Sequence, residues 1–439
     1  MSAESIGFSE SVSMAVGGMV GGGIFAVLGV VAGAAGTLAW VAFVVAGVIA
    51  AAAGYSFNRL NAITEEPRGP ITFVEQFTDR TTLAGMTGWT FIFGYVGTMA
   101  MYAYAFGGYF TELVGVHALA GVPLRPVVSV LTVAAFVTLN TAGAHASGRT
   151  EDVLVGLKVA ILLVFGLEGL SYGFTHHQIG FGLGQFGVGP LVAAAISFVA
   201  FEGWELLLFD QDTIRDPENT VRKAVYASIA VATFLYIVVA LVTTNLVSAD
   251  QIAAHAETSL AIAARPFLGA LGFGLISVAA LFSTGSAINA TLFSAARLSS
   301  TLATDDYLPH GISRGGGEPV RALLVLGGLT ASFTFFGSLD GITSFASLAF
   351  ITIFGLVSAL AFRERGSAIR TWLVPAVGTL GAAATVVALL WHLYDAEPHV
   401  FGSVVVIATA VILVELLYFE REPLFEEGER IERVLEDEL

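Results

Sequence analysis

The sequence contains no cysteine, which excludes a disulfide framework, a thiolate metal site and a disulfide-linked partner subunit. Lysine is nearly absent: Lys158 and Lys223 are the only two. Charged residues make up only 12% of the chain, roughly half the share of about 25% usual in soluble domains. No basic patch exists to bind nucleic acid. No Walker-type glycine loop exists to cradle a nucleotide, which argues against ATP-driven pumping. No two-histidine helix motif or carboxylate cluster has metal-ligand spacing, so neither a catalytic metal nor another cofactor is expected, and no constellation suggests an enzyme. The leading segment MSAESIGFSE carries two glutamates and no basic residue. That is the reverse of a signal-peptide n-region, so the first apolar block is expected to be retained.

What fills the space is apolar. Hydrophobic residues make up 56% of the 439, and the mean hydropathy is +0.81. They come in blocks of about twenty, the length a helix needs to cross a hydrocarbon core of about 30 Å. Polar punctuation between the blocks predicts helices near 9–33, 36–58, 83–114, 125–143, 151–172, 190–211, 222–248, 266–302, 319–337, 341–362, 369–394 and 399–419, with a short helix through 250–262 outside the membrane. The reading is an all-α integral membrane protein with twelve transmembrane helices.

Orientation follows from the basic residues. With the N-terminus inside, the inner loops and tail hold sixteen of the nineteen, the outer loops hold Arg125 and Arg265, and Lys158 falls within a span. Both termini are therefore expected on the cytoplasmic side of the cell membrane. The formal net charge of −16, with so little lysine, fits soluble faces bathed in concentrated salt that screens self-repulsion, as in a halophile. An ordinary acidic tail, residues 421–439, accounts for part of it.

Two spans carry signs of interruption. AVGGMVGGGIF places Gly17, Gly18, Gly21, Gly22 and Gly23 midway along the first block. Each glycine costs roughly 1 kcal/mol against alanine in a helix, so the run marks either a break or, through its GxxxG spacings, close helix packing. In the sixth block, SFVAFEGWELLLF sets Glu202, Gly203 and Glu205 in an apolar stretch. A carboxylate at bilayer depth costs about 2.5–3.5 kcal/mol, so it should face a cavity or a partner. The two sites lie about 180 residues apart, each at the first helix of a five-helix half. Interrupted segments at matching places in two halves point to an inverted-repeat transporter. Freed half-helix N-termini would suit an anionic group such as a substrate carboxylate.

These residues resemble the amino acid–polyamine–organocation permease superfamily, in particular a prokaryotic amino acid permease. GGGIF at 21–25 is similar to the family's first-helix GSGIF-type motif. FVAFEGWE at 198–205 matches its sixth-helix aromatic-small-aromatic-x-G-x-E pattern. DPENTVRKAV at 216–225 looks like its inner loop, and NATLFSAARLSSTLATDDYLP at 289–309 its eighth-helix ending. The resemblance implies the leucine-transporter fold, with inverted repeats at about 9–172 and 190–362. Two extra helices at 369–420 would complete a permease unit of residues 1–420. It implies an amino acid held at the two breaks. Its carboxylate would meet backbone N–H groups of Gly21, Gly22 and Gly23, and its amine carbonyls near Met19 and near Phe198, Val199 and Phe201. Phe201 occupies the family's gating aromatic position, while Phe198 is open to a packing role.

Glu202 departs from the apolar residue often found at its place. It could pair with a cationic substrate side chain, bind a proton or bond to neighbouring helices. Glu205 suits the first turn of a half-helix, where the dipole stabilises an acid. Lys158 lies six residues beyond Asp152, about 9 Å along a helix. By spacing alone it could snorkel to the headgroups. By resemblance its ammonium replaces the sodium of sodium-coupled relatives, meeting a helix-1 carbonyl near Met14–Gly18 and the hydroxyls of Ser283 and Thr284. A buried amine there can release and regain a proton, so the proton is the expected coupling ion, with sodium coupling or uncoupled exchange as the alternatives. Tyr95, Tyr102 and Tyr109 recur every seven residues, and at least two are expected to be helix packing. The expected activity is proton-coupled amino acid import. Exchange of amino acids or polyamines is the alternative within transport, and a non-transporting nutrient sensor the alternative outside it. The pocket floor near Ala200 and Ile288 suits a neutral substrate, whereas Glu202 suits a cationic one.

Overall fold

The structure is a computed structural model that describes residues 6–64, 69–142, 148–184, 187–209, 211–309 and 319–419. The acidic segment 421–439 and Arg68, Arg314, Arg421, Arg430 and Arg433 of the inner set lie outside the described residues. The helices follow the apolar blocks closely. They are α1 (Phe8–Ala35), α2 (Ala39–Asn61), α3 (Pro70–Thr78), α4 (Thr81–Val114), α5 (Leu124–Thr141) and α6 (Gly148–Thr175), then α7 (Gly189–Ile196) and α8 (Leu206–Phe209), which share one block. The second half has α9 (Pro217–Leu246), α10 (Ala249–Ala254), α11 (Ser259–Thr304), α12 (Val320–Phe336), α13 (Leu339–Arg363), α14 (Arg370–Ala396) and α15 (Pro398–Phe419). One short hairpin, Ala118–Leu119 with Val122–Pro123, links α4 to α5. Among the described residues nine helical stretches are long and apolar enough to cross a membrane, the first of them a 54-residue run that divides into α1 and α2.

Large apolar residues lie on the exterior as well as in the core, a pattern that lipid permits because it is as apolar as a core. Leu271, Phe336, Leu380, Trp391 and Leu417 are all exposed on the helix exterior. By contrast α1 is enclosed almost throughout, every residue from Met19 to Ala32 being buried. It is the axis around which α6, α7, α9 and α11 pack.

The largest departure from expectation lies in this axis. α1 runs as one helix from Phe8 to Ala35, so the glycine run does not break it. The amides of Gly21, Gly22 and Gly23 are therefore engaged by carbonyls one turn back and are not free for a carboxylate. The glycines serve close approach instead. A Cβ at Gly18 would lie 2.9 Å from Gly203 Cα, one at Gly23 2.8 Å from Ala200 Cα, and one at Gly21 3.1 Å from Ala287 Cβ, while one at Gly22 would enter the Tyr102 ring. Four neighbours thus close on one short stretch of α1.

The sixth block is interrupted as its sequence predicts. α7 ends at Ile196, Ser197–Phe201 form one tight 3₁₀ stretch, Glu202 is extended, and Gly203 has φ +122°. α11 also bends, at Gly269 with φ +63°, three residues after Pro266. Both chain faces of the axis are covered. Ala256, in the segment between α10 and α11, seats on Gly29 at one end. At the other, Ile6 pairs with Ile214, and the Asn61 amide donates to Gln211 Oε1 at 3.0 Å.

Candidate functional site

The interrupted segment loses helical hydrogen bonds, and buried backbone groups must find others. Ser347 of α13 supplies two: its hydroxyl donates to the Ile196 carbonyl at 2.6 Å and accepts from the Val199 N–H at 3.1 Å. The Gly203 N–H donates to Glu205 Oε2 at 2.8 Å, and the Tyr95 hydroxyl donates to Glu205 Oε1 at 3.5 Å. Glu205 thus holds the turn into α8. Phe198 packs edge-on against Phe354 with centroids 5.4 Å apart, and Trp204 lies 5.0 Å from both Phe57 and Phe354. These rings wedge the second half of the break against α2 and α13.

The first half faces α1. The Tyr236 hydroxyl, carried by α9, lies 2.7 Å from the Met19 carbonyl and 2.8 Å from the Ala200 carbonyl. A phenol has one proton, so the Tyr236 hydroxyl can donate to only one of these two carbonyls at a time. The Met19 carbonyl named from the sequence thus lies beside the break, where the carbonyl that shares its hydroxyl is that of Ala200, between Val199 and Phe201. Phe201 packs edge-on against the Tyr236 ring at 5.4 Å and is fully buried. Tyr236 was not legible as a site residue, because a tyrosine amid apolar α9 reads as packing. Replacing Tyr236 with phenylalanine is expected to lower stability by about 1–3 kcal/mol, since buried carbonyls lose their donor. Thermal unfolding of the detergent-solubilised protein measures it.

Glu202 is 3% exposed and its Oε2 has no hydrogen-bond partner. Of the tyrosine stripe, Tyr95 packs with Phe91 and Phe350, and Tyr109 packs with Phe25 and donates to the Phe25 carbonyl at 3.2 Å. Only Tyr102 lies over the glycines.

Lys158 is 6% exposed and does not snorkel. Its ammonium donates to the Gly17 carbonyl at 3.3 Å, inside the Met14–Gly18 stretch expected, and sits beside Gly21, where a Cβ would lie 3.8 Å from Nζ. Ser283 of α11 donates to the Val20 carbonyl at 3.1 Å, one turn further on. Thr284 instead bonds its own helix, at Ala280 O, 2.7 Å away. The structure thus brings Lys158, Gly17, Val20 and Ser283 to one side of α1 and Glu202, Gly203, Ala200 and Tyr236 to others. Among the described residues no group of three His, Cys, Asp or Glu could hold a metal ion.

A bundle of apolar helices packed about one buried axis, with a broken span and buried ionisable groups against it, is the architecture of a multi-pass membrane protein. Residues 6–415 match the amino acid permease family, and the chain belongs to that family. An uncharacterized protein of Methanocaldococcus jannaschii is 30% identical over 417 residues, covering 93% of this chain and 94% of that one. The inner membrane transport protein YbaT of Escherichia coli is 30% identical over 398 residues, covering 89% and 90%. In fold, the chain is similar to a manganese transporter of Eremococcus coleocola, with a TM-score of 0.59 at 12% identity over 94% of this chain and 92% of that one. The architecture is the leucine-transporter fold.

Proposed function

We propose that the protein moves an amino acid across the cytoplasmic membrane by alternating access, driven by a proton gradient, through a site between α1 and the broken span. The observation that carries this reading is the convergence of the Met19 and Ala200 carbonyls on the Tyr236 hydroxyl. An ammonium would bring several hydrogens to a place where the phenol offers the two carbonyls one. A substrate carboxylate would find N–H donors once α1 opens at Gly21–Gly23, where each glycine weakens the helix by roughly 1 kcal/mol relative to alanine. Phe201, against Tyr236, would close over the bound molecule. Met19, Gly21, Gly22, Gly23, Phe198, Val199, Phe201, Glu202 and Glu205 remain the proposed substrate-site residues.

The coupling group in this reading is Lys158, whose ammonium ties α6 to α1 at Gly17, with Ser283 and Thr284 on the neighbouring face of α11. Loss and recovery of a proton at that ammonium would weaken and restore its bond to the α1 carbonyl. Residues 1–420 would act as one permease unit of twelve crossings with both termini cytoplasmic, 421–439 being a tail outside it.

The full chain in sodium-free liposomes is expected to accumulate labelled amino acid when the medium is made acidic relative to the lumen. Uptake that appears only with amino acid preloaded inside, and is indifferent to the gradient, would establish exchange instead. Saturable binding with neither form of flux would establish a sensor.

A further inference from the structure

The end of the bundle where α10 lies holds a cavity that the transport reading does not use. It measures about 290 Å³ and is walled by α4, α10 and the first turns of α11, with no residue of α1 or of the broken span in its lining. It adjoins the segment that covers α1. Ala256 lies over Gly29, and the Glu257 side chain lies against Gly108 of α4.

The lining carries both signs of charge on separate elements. Glu112 comes from α4, Asp250 and His255 from α10, and Arg265 from α11, with Ala254 and Ile262 as apolar wall. Gln251 also borders the cavity but is spent on capping α10 with Ser248. Glu112 stands in the last turn of α4, where the helix dipole disfavours a carboxylate and favours a cation beside it. Its partner is His255, with Nδ1 3.3 Å from Oε1 and an imidazole that is 46% exposed. So exposed a pair contributes little, because water screens it and two side chains lose freedom to form it. Arg265 is held differently, its guanidinium over the Phe273 ring at 4.1 Å. Stacking pins that group by its face and leaves its N–H edge for a planar oxyanion. Among the described residues neither Arg265 nor Asp250 is in an ion pair.

A ligand of one charge would leave part of this lining unmatched, and no three of its His, Asp and Glu residues are disposed to hold a metal ion. A compact molecule with a carboxylate and an ammonium matches both signs. We propose that the cavity binds one amino acid as its zwitterion, the carboxylate on the edge of Arg265 and the ammonium on Glu112 in place of His255. Asp250 adds a second negative charge to the same cavity. Binding takes Glu112 from the imidazole and so unties α10 from α4 at that pair. Recognition uses the two groups common to amino acids, so side-chain identity matters little. That the zwitterion is an amino acid rests on the transport reading, whereas the preference for a zwitterion rests on the lining.

The lack of native cysteine permits a direct test. Ala254→Cys places one thiol on the exposed wall, and its rate of modification by a maleimide is followed in the detergent-solubilised full chain. Glycine, which has both charges and no side chain, should slow modification several-fold, while glycolate and methylamine at the same concentration should not. Arg265→Gln should abolish the protection. His255→Ala removes the competitor for Glu112 and should let glycine protect at up to about fivefold lower concentration, the range of an exposed ion pair. Protection by glycolate or methylamine equal to that by glycine overturns the proposal. So does protection that survives Arg265→Gln, or that needs more glycine in His255→Ala. If the cysteine variant does not fold, calorimetric titration of glycine into the cysteine-free protein gives the same comparison, and binding unchanged by Arg265→Gln overturns the proposal. Glycine protection without counterflow of any amino acid overturns the transport reading and leaves the cavity standing; counterflow without protection does the reverse.

Discussion

Lys158→Ala should reduce proton-driven amino acid uptake in sodium-free vesicles by at least about tenfold, because a hydrogen bond to a charged group contributes about 1.5–3 kcal/mol and each 1.4 kcal/mol is a factor of ten. The ammonium links α6 to the α1 backbone at Gly17, and it sits beside Gly21, where the proposed opening of the helix falls. Alanine removes both the link and a buried charge, so the junction loses the group whose protonation would report on the gradient. Expression and monodispersity in detergent separate lost transport from lost fold. Uptake at the unmutated rate would remove Lys158 from the mechanism.

The second large effect is expected at the crossing of α1 with the break. Gly203→Ala meets two independent penalties. Its φ of +122° lies in a region that side chains rarely adopt, and the added Cβ would stand 2.9 Å from Gly18 Cα and 2.9 Å from the Met19 nitrogen. Backbone strain of this kind costs about 1–3 kcal/mol, and overpacking typically another 1–3 kcal/mol. The neighbouring atoms are backbone on both sides, so no rotamer change can relieve the contact. A large fall in thermal stability is therefore expected. Ala200→Gly, on the same segment, removes a methyl facing Gly23 and should fall well short of it. Equal effects would show that the close approach is not what matters at Gly203.

The helices were legible because each is written in a contiguous run whose length and hydropathy answer to the membrane. The predicted spans 83–114 and 399–419 meet α4 and α15 within two residues at either end. The break in the sixth block was legible for a similar reason. Glu202, Gly203 and Glu205 interrupt an apolar run, and an interrupted run must satisfy its backbone locally, here through Glu205 and Ser347. The glycines of α1 were ambiguous, since the same residues permit a break or a close contact. Only the neighbours could decide, and Gly203, Ala200, Ala287 and Tyr102 all press on them.

Tyr236 and Ser347 were beyond sequence reasoning. Tyr236 meets Met19 across 217 positions and Ser347 meets Ile196 across 151. Nothing local marks a hydroxyl whose partner is that distant, whereas Lys158 stood out because a charge in an apolar span is costly wherever it points. By itself, then, the sequence determined the membrane class, the helix positions, the sixth-block break and the unusual status of Lys158 and Glu202, all of which follow from local hydropathy and local backbone chemistry. The tertiary structure alone decided that α1 stays helical through Gly21–Gly23, that its glycines admit four neighbours, and which carbonyls converge on Tyr236. Those are outcomes of packing and hydrogen-bond partner choice, and both depend on atoms brought together from remote parts of the chain.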